Sequence, residues 1–112
     1  MSLWYDRKGN PLSFQTDEEM RAVEALLSDP QYKRVAETTL PDGTWVSTVW
    51  LGLDHSFGAK GPPLIFETMV FRSELDLREE ACLRYPTEAE ALAGHTRVVK
   101  DRMAKESREV TA

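Results

Sequence analysis

Apolar positions alternate with polar ones in two distinct periods along the chain. Met20, Val23, Leu26 and Leu27 recur at three- and four-residue spacing, the mark of a helix with one apolar stripe. Thr16 followed by Glu19 forms a capping box, in which each side chain satisfies a backbone N–H of the first turn. Asp29-Pro30 ends this helix, because the residue before proline is pushed out of the α region. The run from Tyr32 to Leu40 is β-branched with imperfect alternation and predicts an edge strand. Pro41-Asp42-Gly43 is a turn, and residues 44–53 and 64–71 predict two central strands with apolar groups on both faces. In the second of these, Leu64, Phe66 and Val70 share one face and Ile65, Glu67, Met69 and Phe71 the other. A fourth strand over 75–85 sets Leu77, Ala81, Leu83 and Tyr85 against Arg78, Glu80, Cys82 and Arg84. After Pro86, Thr87 and Glu90 repeat the capping-box pattern and open a helix from about Glu88 to Lys105. Its stripe is Leu92, His95, Val99 and Met103, flanked by Ala91 and Val98.

Short turns between consecutive strands imply an antiparallel meander. The expected fold is therefore α+β: a four-stranded antiparallel meander sheet with an N-terminal and a C-terminal helix, in one domain spanning 1–112. Residues 1–13 form an N-terminal flap that turns through Arg7-Lys8-Gly9-Asn10-Pro11 and is pinned by Trp4 and Tyr5. Residues 107–112 are expected to fray.

Composition narrows the function. A net charge of −5 with cations interleaved among acids argues against a partner held by phosphate neutralisation, so no nucleic acid is expected. Cys82 is the lone cysteine, which excludes an intrachain disulfide and fits a reducing cytoplasm. No stretch approaches the roughly 20 apolar residues of a membrane span, so no membrane partner is expected either.

The unusual chemistry gathers in the ten residues 54–63, DHSFGAKGPP, between the two central strands. Hairpin loops usually have about two to five residues, so the length points to a ligand-gripping loop. His55 can donate or accept near neutral pH, Phe57 can stack, Lys60 adds charge, and Gly58 and Gly61 let backbone N–H groups approach an anion. The same residues also suit a plain connection whose glycines and prolines serve turn geometry. The candidate ligand-binding residues are Asp54, His55, Phe57, Lys60, Glu67 and His95. Glu67, mid-strand, needs an ion pair with Arg78 or Arg84 if covered. His95, on an apolar stripe, suits a hydrogen-bonded core residue as well as a site. A convergence of Asp54, His55, Glu67 and His95 would make a small hydrolase or metal enzyme, although the spacing contains no His-Glu-x-x-His pattern. Cys82 reads as an inert thiol. No cofactor is implied, and neither a P-loop nor a dinucleotide fingerprint is present.

The strings VSTVWLGLDHSFG and GPPLIFETMVF, with RYPTEAEALAGH downstream, resemble a family of small proteins without an assigned activity, encoded by bacteriophages, prophages and their bacterial hosts. The resemblance covers roughly residues 32–100. It implies a protein that binds or sequesters something, and it assigns no catalytic residue. The expectation is a non-enzymatic binding protein, cytoplasmic in the host cell. Its ligand would be a small anion, such as a nucleotide, or another protein. Trp45 and Trp50 fall on opposite faces of one strand, so one is core and the other is covered by a helix or displayed at a subunit contact. A sheet apolar on both faces, with few helices to cover it, favours a homodimer. A structural virion component is a further alternative.

Overall fold

A computed structural model describes residues 3–111 of the chain. Met1, Ser2 and Ala112, the outermost residues of the expected flap and tail, lie outside the described residues. Helix α1 (Asp17–Leu27) starts at the predicted capping box. Glu19 N–H donates to the Thr16 hydroxyl at 3.0 Å, and Thr16 N–H donates to the Glu19 carboxylate at 3.0 Å. A second, four-residue helix α2 (Pro30–Lys33) follows, so Tyr32 is helical where the pattern suggests a strand. Proline's fixed φ suits a first helical position, and Asp29 caps it by accepting the Gln31 N–H at 3.0 Å.

Strands β1 (Arg34–Thr39), β2 (Trp45–Trp50), β3 (Phe66–Ser73) and β4 (Asp76–Tyr85) form one antiparallel sheet in the order β1-β2-β3-β4. Helix α3 (Glu88–Thr111) closes the chain and packs across all four strands. The architecture is therefore α+β, with helices before and after an antiparallel meander. The terminal helix runs on to Thr111, past the expected end near Lys105, since neither glycine nor proline interrupts the run. Among the described residues, no helix is long and apolar enough to cross a membrane.

Paired residues share a face. Val46, Thr48 and Trp50 of β2, with Phe66, Thr68 and Val70 of β3, are buried beneath α3. The centre of the core is Trp50, Ile65, Phe66 and Ala91, ringed by Tyr5, Leu12, Leu26, Leu27, Tyr32, Val35 and Tyr85. Ile65 therefore joins Phe66 and does not oppose it. The chain is not yet a regular strand there: Ile65 N–H donates to the Tyr85 carbonyl at 3.0 Å and its carbonyl accepts the Leu51 N–H at 2.8 Å.

Two other expectations are corrected. On α3 the buried positions are Ala91, Gly94 and His95, whereas Leu92 and Met103 are exposed. The rotation follows from close approach: a Cβ at Gly94 would overlap the Tyr85 ring, so only glycine lets the helix sit this near β4. On β4 the register slips opposite Val70 and Phe71, where Ala81 and Glu79 are the partners and Glu80 is the extra residue. Glu80 accepts from Arg102 of α3 at 2.9 Å and so does not line up with Cys82 and Arg84.

Candidate functional site

The 54–63 loop leaves β2 through Gly52, whose φ of +80° carries the backbone close under the rings of Trp50 and Trp4. Asp54 then ties the two ends of the loop together. Its carboxylate accepts the Ser56 N–H at 2.8 Å, the Ser56 hydroxyl at 2.9 Å and the Leu64 N–H at 2.9 Å. Burial, the largest single influence, opposes ionisation of Asp54. The Ser56 and Leu64 N–H groups, with the Ser56 hydroxyl, outweigh it and hold the carboxyl below the usual carboxylate range. His55 closes the same base, its N–H donating to the Leu64 carbonyl at 2.9 Å. His55 Nδ1 lies 2.8 Å from the Leu53 carbonyl, which can only accept, so Nδ1 carries the proton and the neutral ring keeps a lone pair on Nε2.

At the tip, Ala59 N–H donates to the Ser56 carbonyl at 3.1 Å across Phe57 and Gly58, whose φ values are +50° and +85°. Two positive φ values in succession describe a type I′ turn, which favours Asn or Gly at the first position. Phe57 occupies that position, is 76% exposed, and stands edge-on to the His55 ring at 5.4 Å. Lys60 is exposed on the same loop.

Glu67 and His95 belong elsewhere. Glu67, 6% exposed, pairs with Arg84 of β4 at 3.0 Å, as the cross-strand register requires. Cys82 lies beside it; burial and the Glu67 carboxylate push its thiol up, which keeps it protonated and unreactive. His95 sits beneath α3, its Nε2 2.8 Å from the Thr38 hydroxyl and its Nδ1 2.7 Å from the Thr48 hydroxyl. Thr48 and Thr68 hydroxyls meet in turn at 2.5 Å. Burial pulls the His95 pKa down, so the ring is neutral and both nitrogens are satisfied by threonines. The four side chains of the hydrolase alternative thus have separate sets of partners. Among the described residues, no three His, Cys, Asp or Glu side chains gather as a metal-holding group.

No family model matches the chain, and a search of curated proteins and of solved structures finds no match in either. The site therefore rests on its own geometry.

Sequence reading missed the contribution of the flap. Asp54 N–H donates to the Leu3 carbonyl at 2.8 Å, and Trp4 pairs antiparallel with Leu53. Leu3 is 63% exposed, and the Phe14 ring meets Trp4 edge-on at 6.0 Å while remaining exposed. Exposed apolar side chains from the flap therefore join the base of the loop that carries Phe57. The available signal was the apolar pair Leu3-Trp4 ahead of Phe14, far from the loop in sequence. A cavity of about 820 Å³ opens between the Asp6–Asn10 turn, Tyr32 and Pro86–Glu88, and a polar one of about 350 Å³ lies around Arg72, Glu80 and Arg102. No residue of the loop lines either cavity.

Replacing Asp54 with alanine should release both loop ends at once. The expected loss is about 1–3 kcal/mol, from leaving the Ser56 and Leu64 N–H groups without their acceptor. Chemical denaturation would measure it, with amide exchange at Ser56 and Leu64 rising in parallel. Unchanged exchange at both sites would disprove the clamp.

Proposed function

We propose that this chain is a non-enzymatic interaction protein that engages a protein partner through the 54–63 loop. It acts as a homodimer in the bacterial cytoplasm, in the phage or prophage setting that its sequence motifs suggest. The observation that carries this reading is Phe57: a large apolar ring, three-quarters exposed, at a left-handed position on a loop tied down by Asp54. Left-handed backbone costs a residue with a Cβ about 1–2 kcal/mol. A strained, exposed aromatic on a rigid projection is suited to filling a partner's pocket, as interface anchors do. A small anion such as a nucleotide is the weaker alternative, because ligand sites for small molecules are concave and bury the ligand, and residues 57–62 of this loop are exposed. His55 Nε2 and Lys60 flank the anchor and supply polar contacts at its rim.

The test is Phe57→Asn. Relief of about 1–2 kcal/mol of backbone strain offsets the lost edge contact with His55, worth about 0.5–1.5 kcal/mol, so stability should move by no more than about 1 kcal/mol. Binding should weaken by about thirty-fold or more, the effect of removing an anchor worth about 2 kcal/mol. Affinity capture from the host with both proteins side by side would identify the partner, and calorimetry would give the two dissociation constants. Equal affinities would end the proposal.

A further inference from the structure

The turn Arg7-Lys8-Gly9-Asn10 of the flap forms one wall of the larger cavity, about 820 Å³, whose other walls are Tyr32 of α2 and Pro86–Glu88 at the start of α3. We propose that this cavity binds a small organic oxyanion, a carboxylate or a phosphate monoester on a ring or short apolar body, with Lys8 as its counter-charge. The site shares no residue with the 54–63 loop and stands independently of the protein partner proposed for it.

The volume falls in the range of about 300–1,000 Å³ that small-molecule sites occupy. The walls come from three segments distant in sequence, and they are cross-linked before any ligand arrives. Arg7 is the tie. Its Nε donates to the Glu88 carboxylate at 2.7 Å, its Nη1 to the Tyr32 carbonyl at 3.0 Å, and its backbone N–H to the Tyr32 hydroxyl at 3.0 Å. The turn keeps its own shape. The Asp6 carboxylate accepts the Lys8 and Asn10 N–H groups at 2.9 Å each and the Asn10 side-chain amide at 3.2 Å. A ligand therefore meets a formed site, and little of its binding energy goes into ordering the protein.

The bonds that build the walls also determine what the walls leave over. Asp6 is filled by three donors of its own turn, and the charge of Glu88 is matched by Arg7. Lys8 differs: it is exposed at the rim, and among the described residues its ammonium group pairs with no acid. Two hydroxyls remain as donors. The Tyr32 oxygen already accepts from Arg7, and the Thr87 oxygen accepts the Glu90 N–H at 3.1 Å, so each has its hydrogen to give. One unmatched positive charge and two spare O–H donors select a group that is negative and rich in acceptors. A cationic ligand would find both carboxylates engaged and Lys8 unopposed.

The cavity is not polar throughout. Pro86 and Tyr32, both partly buried, supply an apolar wall. Covering it requires carbon behind the charge, as apolar linings with a few placed polar groups do in small-molecule sites. An inorganic ion would leave that wall in water.

Titrations followed by amide shifts in two-dimensional NMR test the proposal, with phenyl phosphate, benzoate, neutral benzamide and inorganic phosphate as probes. Phenyl phosphate or benzoate should move the amides of Lys8, Asn10 and Glu88 with a dissociation constant of about a few millimolar or tighter, as suits about ten heavy atoms. The tighter of the two identifies the head group. Benzamide and inorganic phosphate should each bind at least about five-fold more weakly. Lys8→Glu replaces an exposed attraction with a repulsion, so it should weaken the better anion by about three- to thirty-fold with an unchanged circular dichroism spectrum. No shift with either anion at about 20 mM, or shifts confined to residues 54–63, overturns the site. Benzamide binding as tightly as the anions overturns the ligand's charge, and inorganic phosphate matching phenyl phosphate overturns its carbon body. An affinity unmoved by Lys8→Glu, or by Lys8→Met should the first variant not fold, overturns the counter-charge.

Discussion

Replacing Trp50 with alanine is expected to remove about 3–5 kcal/mol of stability, a large share of the roughly 5–15 kcal/mol that holds a domain together. Trp50 is 1% exposed at the centre of the core, with the Tyr32 ring edge-on at 5.0 Å. Its indole N–H donates to the Tyr5 carbonyl at 2.9 Å, so this one side chain joins sheet, α2 and flap. Trp50→Phe separates the two contributions. It keeps most of the bulk but removes the indole bond to the Tyr5 carbonyl, so amide exchange in residues 3–12 should quicken more than exchange in the sheet. Urea denaturation that shows Trp50→Ala costing under about 1 kcal/mol would contradict this account of the core.

His95 produces the second large effect, and its sign with pH is determined. Its pKa in the folded protein is lowered by burial, so the unfolded chain binds the proton more readily. The stability His95 contributes is complete above the unfolded value of about 6.5 and is lost as pH falls through the lower folded value. The urea midpoint should therefore drop as pH falls below the unfolded value of about 6.5 towards the lower folded one, a window separate from that of Asp54, whose lowered pKa matters only in stronger acid. His95→Leu should abolish most of that drop. At neutral pH it should also cost about 2–4 kcal/mol, because the Thr38 hydroxyl loses its partner and Thr48 keeps only Thr68. A variant that retains the full pH dependence would show that another group is responsible.

The features legible beforehand are those settled by a few neighbouring residues. Thr16 and Glu19 reach each other across one helical turn, and Pro41-Asp42-Gly43 allows little except a turn. Strand parity offered Arg78 or Arg84 as the partner of Glu67, and the register of β3 on β4 selected Arg84. What was not legible depends on contacts distant in sequence. Leu92 and Met103 read as core because a helical stripe has a period but no absolute phase. Gly94 against Tyr85 supplies the phase, by allowing one side of α3 to sit closer than any other. Glu80 changed sides because one extra residue in β4 reverses the alternation beyond it. The expected site divided for the same reason: Asp54 and His55 close their own loop, His95 meets threonines from two strands, and Leu3 and Phe14 arrive from the flap.

The sequence by itself determined the helices that open after Thr16 and Thr87, the four strands between them, their order and the antiparallel sheet, because propensity, capping and short turns act over a few residues. Tertiary structure alone decided which face of α3 is buried, which polar groups are satisfied internally, and which side chains remain outside. Those outcomes depend on the distance between surfaces, and nothing local encodes that distance until the chain has folded.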